Sequence, residues 1–279
     1  MSDADRLVII HNHLFKNAGT TIDWALAREL GSAFVDHRDD ADMRQGAGYL
    51  GPYLLDNPGV SALSTHHLSL PLPELAGLRL AMIMMFRHPV ERVTSVYEFE
   101  RKQEGSQTPG ALKARESSCS DYVAWRLEPG VGATIRNFQV RKCLPPRKGL
   151  PDRPAAAEVE RALDVARSVE MLGLVERFDE SMVLFEEALR PHFPGIDLSH
   201  VPQNVGQSSS VSGAQRALRL RETIGDTLYA RLEEENAPDL QLHAGVVEEF
   251  GRRFAALPEA SARLAEFRAR CERRRNAGG

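Results

Sequence analysis

Lys16, Asn17, Thr20 and Thr21 crowd into six residues, with only the small Ala18 and Gly19 between them. One charge, an amide and two hydroxyls beside residues without bulk are what an anion site needs: attraction, donors and close backbone approach. An apolar run from Leu7 to Ile10 precedes this stretch, continued by His11-Asn12-His13-Leu14; after it Ile22, Trp24, Ala25, Ala27 and Leu30 recur at helical spacing. The reading is a buried strand, a small-residue turn and a helix capped by Thr20 or Thr21. The first amides of such a helix lack internal partners and carry the positive end of its dipole. Lysine precedes the glycine, so this is not the GxxxxGK[ST] loop of nucleotide triphosphatases. A helix start with an exposed lysine is the plain alternative.

A second set follows the next apolar run, Leu78 to Phe86. Arg87-His88-Pro89 opens a helix with Val90, Val93, Val96 and Tyr97 on its inner face, and Ser95 further along it. Arg87 stands at the carboxyl end of its strand, where ligands bind in open α/β sheets. A guanidinium and a hydroxyl there form a second phosphate clamp; a surface ion pair of Arg87 or Arg92 with Glu91 or Glu98 is the alternative. Together the two segments imply one ligand with two separated anionic groups. Between them lies Ser64-Thr65-His66-His67-Leu68-Ser69-Leu70. Imidazole titrates near neutrality, which suits a general base. Adjacent residues of extended chain face opposite ways, which argues against His66 and His67 sharing one metal, and no Asp, Glu or Cys set at ligand spacing is nearby. The expectation is no metal.

The elements that must position these groups make an α/β chain. It reads as a P-loop-like three-layer fold, a central parallel sheet flanked by helices, with one domain over residues 1–279 and a helical C-terminal third from about residue 214. Val60 to Thr65 and Met171 to Val175 read as short strands, and Gly46 to Pro58 and Gly105 to Ser118 as loops. Tyr122 to Leu127, Ala133 to Cys143, Ala155 to Val169 and Asp179 to Leu189 read as helices. The proline-rich Leu144 to Pro154 and the polar Gln203 to Ser212 read as loops, and the chain beyond Ala214 as helical with a break near Pro238.

The composition, 279 residues with 42% hydrophobic and 27% charged, excludes a mainly disordered chain. A net charge of -4 speaks against a nucleic-acid partner. Cys119, Cys143 and Cys271 are far apart, so neither a disulfide framework nor a structural zinc site is expected. Ala81 to Phe86, the most apolar stretch, is too short for a bilayer, and Met1-Ser2-Asp3-Ala4-Asp5-Arg6 lacks the pattern of a secretion signal, so the expected location is cytoplasmic, without membrane insertion. Asp36-His37-Arg38-Asp39-Asp40 reads as a solvated turn rather than a metal site, and Arg268 to Arg275 as a solvated helix end. Trp24 falls on an apolar helix face; Trp125 is a single aromatic that could stack on a saccharide.

His13-Leu14-Phe15-Lys16-Asn17-Ala18-Gly19-Thr20-Thr21 resembles the 5′-phosphosulfate loop of sulfotransferases that use 3′-phosphoadenosine 5′-phosphosulfate (PAPS), and Phe86 to Tyr97 resembles their 3′-phosphate motif. The resemblance is to the heparan sulfate 2-O- and 6-O-sulfotransferase branch and its bacterial relatives. Asn137-Phe138-Gln139-Val140-Arg141 is similar to that branch's Asn-x-Gln-x-Arg segment, and Leu172 to Ser181 to its later strand-to-helix stretch. The matches cover residues 7–205 in patches. Phe15 replaces the usual proline and His88 the common aspartate. The resemblance implies PAPS as co-substrate and 3′-phosphoadenosine 5′-phosphate (PAP) as product. It implies Lys16 to Thr21 at the 5′ end and Arg87 and Ser95 at the 3′-phosphate. His67, in the His-x-Ser register, is the implied base, with His66 as second candidate. Gln139 and Arg141 are placed over the nucleotide or near the acceptor, and Asn204 either in a loop that closes over the cofactor or in a plain solvated loop. The implied acceptor is a hydroxyl of a saccharide, glycoconjugate or small molecule. A small-molecule kinase with an atypical loop and a non-catalytic nucleotide-binding protein of the same fold are the competing readings.

Overall fold

The structure is a computed structural model that describes residues 6–146, 153–201, 203 and 213–277. The chain forms two compact units interleaved in sequence. One comprises Met1–Phe86, Asp164–Asn204 and Val246–Gly279; the other comprises Arg87–Leu163 and Val205–Gly245.

The first unit carries the sheet. Its strands are β1 (Arg6–Asn12), β2 (Phe34–Asp36), β3 (Ala62–Thr65), β4 (Leu78–Phe86) and β5 (Met171–Leu174), all parallel, in the order β2-β3-β1-β4-β5. Along β1 the side chains alternate between two apolar faces, as a sheet covered on both sides requires. Leu7 and Ile9 meet Ile22, Ala25 and Leu26 of α1 (Gly19–Leu30). Val8 and Ile10 meet Met43 of α2 (Asp40–Met43) and Leu50 and Leu54 of α3 (Ala47–Asp56). Each fully buried aliphatic side chain contributes about 1.5–3 kcal/mol.

The first two connections run in opposite directions along the sheet on opposite faces, as connections of a single hand require. The step from β1 out to β2 runs through α1 on one face; the step back to β3 runs through α2 and α3 on the other. β1 and β4 are adjacent, with Asn12 opposite Met84, and their chains leave the sheet toward opposite sides. The carboxyl ends of β1 and β4 therefore mark the topological switch point, where such sheets bind ligands.

In the second unit lie α4 (Pro89–Arg101), α5 (Pro109–Glu116), α6 (Cys119–Arg126) and α7 (Phe138–Cys143). α8 (Ala156–Ser168) begins there and ends in the first unit, which also holds α9 (Phe178–Leu189). α10 (Gly213–Ile224) and α11 (Asp226–Glu235) follow in the second unit, α12 (Ala237–Ala256) runs from the second unit into the first, and α13 (Ala260–Asn276) closes the first.

The structure corrects several local expectations. Gly46 to Pro58 is mostly the helix α3, with Pro52 inside it; Leu50 and Leu54, one turn apart, bury against the sheet and override the local breakers. Gly105 to Ser118 contains α5, capped by the Thr108 hydroxyl. Residues 133–137 are irregular, and the helix there starts only at Phe138. The break placed near Pro238 falls at Asn236, with Pro238 in the first turn of α12, where proline is tolerated. All three cysteines are free thiols. Among the described residues no helix is long and apolar enough to cross a membrane.

Candidate functional site

β1 ends at Asn12, and the chain turns through Lys16 and Ala18, both in the left-handed region at φ 64° and 61°. Such residues cost about 1–3 kcal/mol each and cluster at ligand clamps. The Asn17 side chain donates to the Met85 carbonyl at 2.7 Å, tying the turn to β4. α1 then begins at Gly19 with no side-chain cap and no acid in its first turn, so its leading amides suit an anion. Thr20 and Thr21 are not caps. Thr20 is exposed, and the Thr21 hydroxyl accepts from the Gln203 amide at 3.2 Å.

Three groups the sequence reading passed over meet beneath the turn. Asp23 of α1 accepts from His11 Nδ1 through one carboxylate oxygen and from His13 Nδ1 through the other, both at 2.7 Å. The Ser64 hydroxyl lies 3.1 Å from His11 Nδ1, and Arg38 lies 3.6 Å from Asp23. Burial opposes the Asp23 charge, but attraction to His11 and the bonds from both imidazoles outweigh it and hold the carboxyl well below the usual carboxylate range. Burial, reinforced by His11 and Arg38, lowers His13 against the pull of its bond to Asp23. The His13 ring lies over Gly19, so that a Cβ there would stand 2.2 Å from His13 Cδ2. Gly19 thus makes room for an imidazole. The signal was present in outline: two histidines two apart share a strand face, and Asp23 interrupts the apolar face of α1. His11, His13 and Asp23 offer ligand atoms within 4.8 Å of one another, a donor set that zinc accepts. Both imidazoles bond the carboxylate at 2.7 Å, and the structure brings together a ligand set that the sequence reading did not expect.

His66 belongs to this cluster. Its ring is 4.1 Å from that of His13, and its Nδ1–H donates to the His13 carbonyl at 2.9 Å, which leaves Nε2 as the acceptor nitrogen of the neutral ring. Burial, with His13 second, lowers its pKa. His67 turns elsewhere, with Nε2 3.0 Å from Asp40. On β1 itself, Asn12 is buried on the opposite face, and neither its amide nitrogen nor its oxygen has a hydrogen-bond partner among the described residues.

In the second unit, Gln139 is fully buried and brackets the Arg87 backbone. Its Oε1 accepts from the Arg87 amide at 2.9 Å and its Nε2 donates to the Arg87 carbonyl at 2.7 Å. Helical spacing left Gln139 over the nucleotide or near the acceptor; the structure makes it the brace of Arg87. Asn137, left-handed at φ 47°, donates to Asn236 at 3.1 Å and to the Glu235 carbonyl at 2.9 Å. Asp239 accepts from the Gln139 and Val140 amides at 3.1 and 2.8 Å and so caps α7. Arg141 and Ser95 are half-buried on α7 and α4. Glu91, weighed as a partner for Arg87 or Arg92, bonds Arg216 at 2.7 Å. His88 stands at the N-cap of α4 and makes no capping bond, the service an aspartate performs at such a position.

Asn204 lies outside the described residues. Trp24 packs against the core under Arg28. Trp125 lines an open depression of about 650 Å³ with Lys113, Arg115 and Asp121. Two features read as solvated are tied down. Asp39 caps α2, and His37 bonds Tyr49 at 2.8 Å. In the basic tail, Arg268 pairs with Asp179 at 3.1 Å, Arg270 with Glu186 at 2.6 Å and Arg274 with Asp197 at 2.8 Å.

No protein-family model matches the chain. It is 29% identical over 255 residues to a protein of Archaeoglobus fulgidus described only as an uncharacterized protein, and the match covers 90% of this chain and 100% of that one.

Proposed function

We propose that the chain is a PAPS-dependent O-sulfotransferase. One observation carries the reading: Lys16 to Thr21 and Arg87 follow the carboxyl ends of adjacent parallel strands at the topological switch point. Lys16 and the uncapped amides of α1 take the 5′-phosphosulfate; Arg87, held by Gln139, and Ser95 take the 3′-phosphate. The acceptor hydroxyl attacks sulfur in line with the departing phosphate, so the new S–O bond forms as the bond to PAP breaks. A histidine removes the hydroxyl proton. What supports His66 over His67 in this role is its bond to His13, which sits on the turn, and the lowered pKa that keeps it neutral. Donors fixed where charge develops do most of the work, and losing one costs about 10²–10³ in turnover. The acceptor is a hydroxyl of a saccharide, glycoconjugate or small metabolite, and the reading places the protein in the cytoplasm.

Transfer of label from radiolabelled PAPS to a panel of hydroxyl acceptors tests the reading. Transfer that is lost in Lys16→Ala and His66→Ala supports it. Transfer from ATP with Mg²⁺ and none from PAPS would make the chain a kinase. Tight PAP binding without transfer to any acceptor would make it a nucleotide-binding protein.

A further inference from the structure

Two imidazoles and a carboxylate converge beside the Lys16 to Thr21 turn, and the transfer reaction assigns no step to any of the three. His11 and His13 lie two apart, on the face of β1 that α1 covers. The His13 amide still bonds the Thr65 carbonyl at 3.0 Å, so the sheet holds both residues in register. The two rings stack with centroids 5.1 Å apart and planes 21° apart, and both Nδ1 atoms meet one carboxylate. Asp23 receives them at 2.7 Å each, one per oxygen. His11, His13 and Asp23 are 1%, 6% and 8% exposed. Their ligand atoms lie within 4.8 Å of one another, and the Ser64 hydroxyl stands 3.1 Å from His11 Nδ1. All these groups belong to Met1–Phe86, within one compact unit. Packing α1 on β1 needs only apolar side chains such as Leu7, Ile9, Ile22 and Leu26; burying two imidazoles and a charge there costs desolvation.

The geometry points to His11, His13 and Asp23 as the protein ligands of a divalent transition-metal ion of the zinc type. The donors select the class. Imidazole nitrogen and carboxylate oxygen suit zinc, cobalt and their neighbours, whereas calcium and magnesium take oxygen ligands. Three protein ligands leave a fourth position for water or the Ser64 hydroxyl. Tetrahedral bonds of about 2.0–2.2 Å hold ligand atoms about 3.3–3.6 Å apart, so each 2.7 Å contact opens by about 0.6–0.9 Å as the ion enters. Each ring then carries its proton on Nε2 and offers Nδ1 to the metal. Two coordinate bonds replace two Nδ1–H bonds, and the ion ties β1 to α1 on either side of the Lys16 to Thr21 turn. Arg38, 45% exposed and paired with Asp36 at 2.5 Å, stands 3.6 Å from Asp23 and competes with the ion for its charge. The inference does not rest on sulfuryl transfer, and no step of that reaction runs through the metal.

Cobalt(II) is the probe, because four-coordinate cobalt absorbs strongly in the visible and six-coordinate cobalt weakly. The full chain is stripped with a chelator, freed of it and titrated with cobalt chloride, and bound metal is counted by atomic emission. The expected result is one cobalt per chain with the visible bands of a four-coordinate site. Zinc chloride displaces the cobalt and bleaches the bands; calcium and magnesium chloride do not. His11→Leu and Asp23→Asn are expected to weaken cobalt by about tenfold or more. Arg38→Ala leaves every ligand in place and is expected to tighten cobalt severalfold, because the competing charge is gone. That gain decides the matter even where a ligand variant does not fold. No cobalt on the wild-type chain, six-coordinate bands alone, or unchanged affinity in a folded His11→Leu would overturn the inference, as would an Arg38→Ala chain that binds cobalt no more tightly than wild type. Titration of the same metal-free chain with PAP is a separate readout, so loss of the metal site leaves the adenylate reading standing.

Discussion

Gly19→Ala separates two accounts of the glycine in the Lys16 to Thr21 turn. If Gly19 only opens a helix, alanine stabilises by up to about 1 kcal/mol, since glycine is the poorer helix former. The structure demands the opposite sign. The new Cβ would lie 2.2 Å from His13 Cδ2 and 2.6 Å from Cγ, inside any real contact. The ring cannot swing aside cheaply, because Asp23 holds Nδ1 at 2.7 Å and the tilted His66 ring packs with its centroid 4.1 Å away. Overpacking costs about 1–3 kcal/mol and a broken hydrogen bond to a charged partner about 1.5–3 kcal/mol. After an alanine gain of about 1 kcal/mol, the net loss is about 1.5–5 kcal/mol. Urea unfolding of wild type, Gly19→Ala, His13→Ala and the double variant measures it, and the double-mutant cycle isolates the clash. With His13 already shortened, Gly19→Ala is expected to be neutral or stabilising. Equal or greater stability of the single variant, or additivity across the cycle, would refute the packing of His13 on Gly19.

Acidification is expected to destabilise the chain in two stages. His13 and His66 titrate lower when folded than their ordinary 6.5, and Asp23 lower than its ordinary 3.8, so the unfolded chain binds more protons and stability is lost as pH falls. Urea midpoints should drop from about pH 6.5 downward and again below about pH 4, and Asp23→Asn should remove the lower step while costing about 3 kcal/mol at pH 7. Gln139→Ala removes both bonds to the Arg87 backbone and should cost about 1–3 kcal/mol. It should also weaken PAP more than adenosine 5′-phosphate; equal weakening would make Gln139 a general packing residue. Lys16→Ala is expected to abolish sulfuryl transfer while leaving the urea midpoint near that of wild type.

β1 and β4 were legible because each carries an apolar run, Leu7 to Ile10 and Leu80 to Phe86, the form taken by strands covered on both faces; the short edge strand β2 was not. The helix α3 was not, because Gly46, Gly48, Gly51, Pro52 and Pro58 argue locally for a loop, while Leu50 and Leu54 find their reason only in the distant Val8 and Ile10. The Lys16 turn could be read from residue types. The role of its glycine could not, since that depends on where His13 folds back. The His-x-Ser register favours His67 over His66, but their partners, Asp40 and the His13 carbonyl, come from different segments that the register does not see. The basic tail reads as solvent-facing by composition alone, yet its acids lie 84 and 73 positions away, at Glu186 and Asp197 for Arg270.

The central claim is that the segments after β1 and β4 hold one adenylate by two separate anionic groups. Calorimetric titration of the wild-type chain with PAP and with adenosine 5′-phosphate, repeated on Arg87→Ala, tests it most directly. The account predicts that PAP binds at least tenfold more tightly, about 1.4 kcal/mol, and that Arg87→Ala erases most of that advantage while leaving adenosine 5′-phosphate almost unchanged. Equal affinity for the two nucleotides, or no binding of PAP, would contradict it.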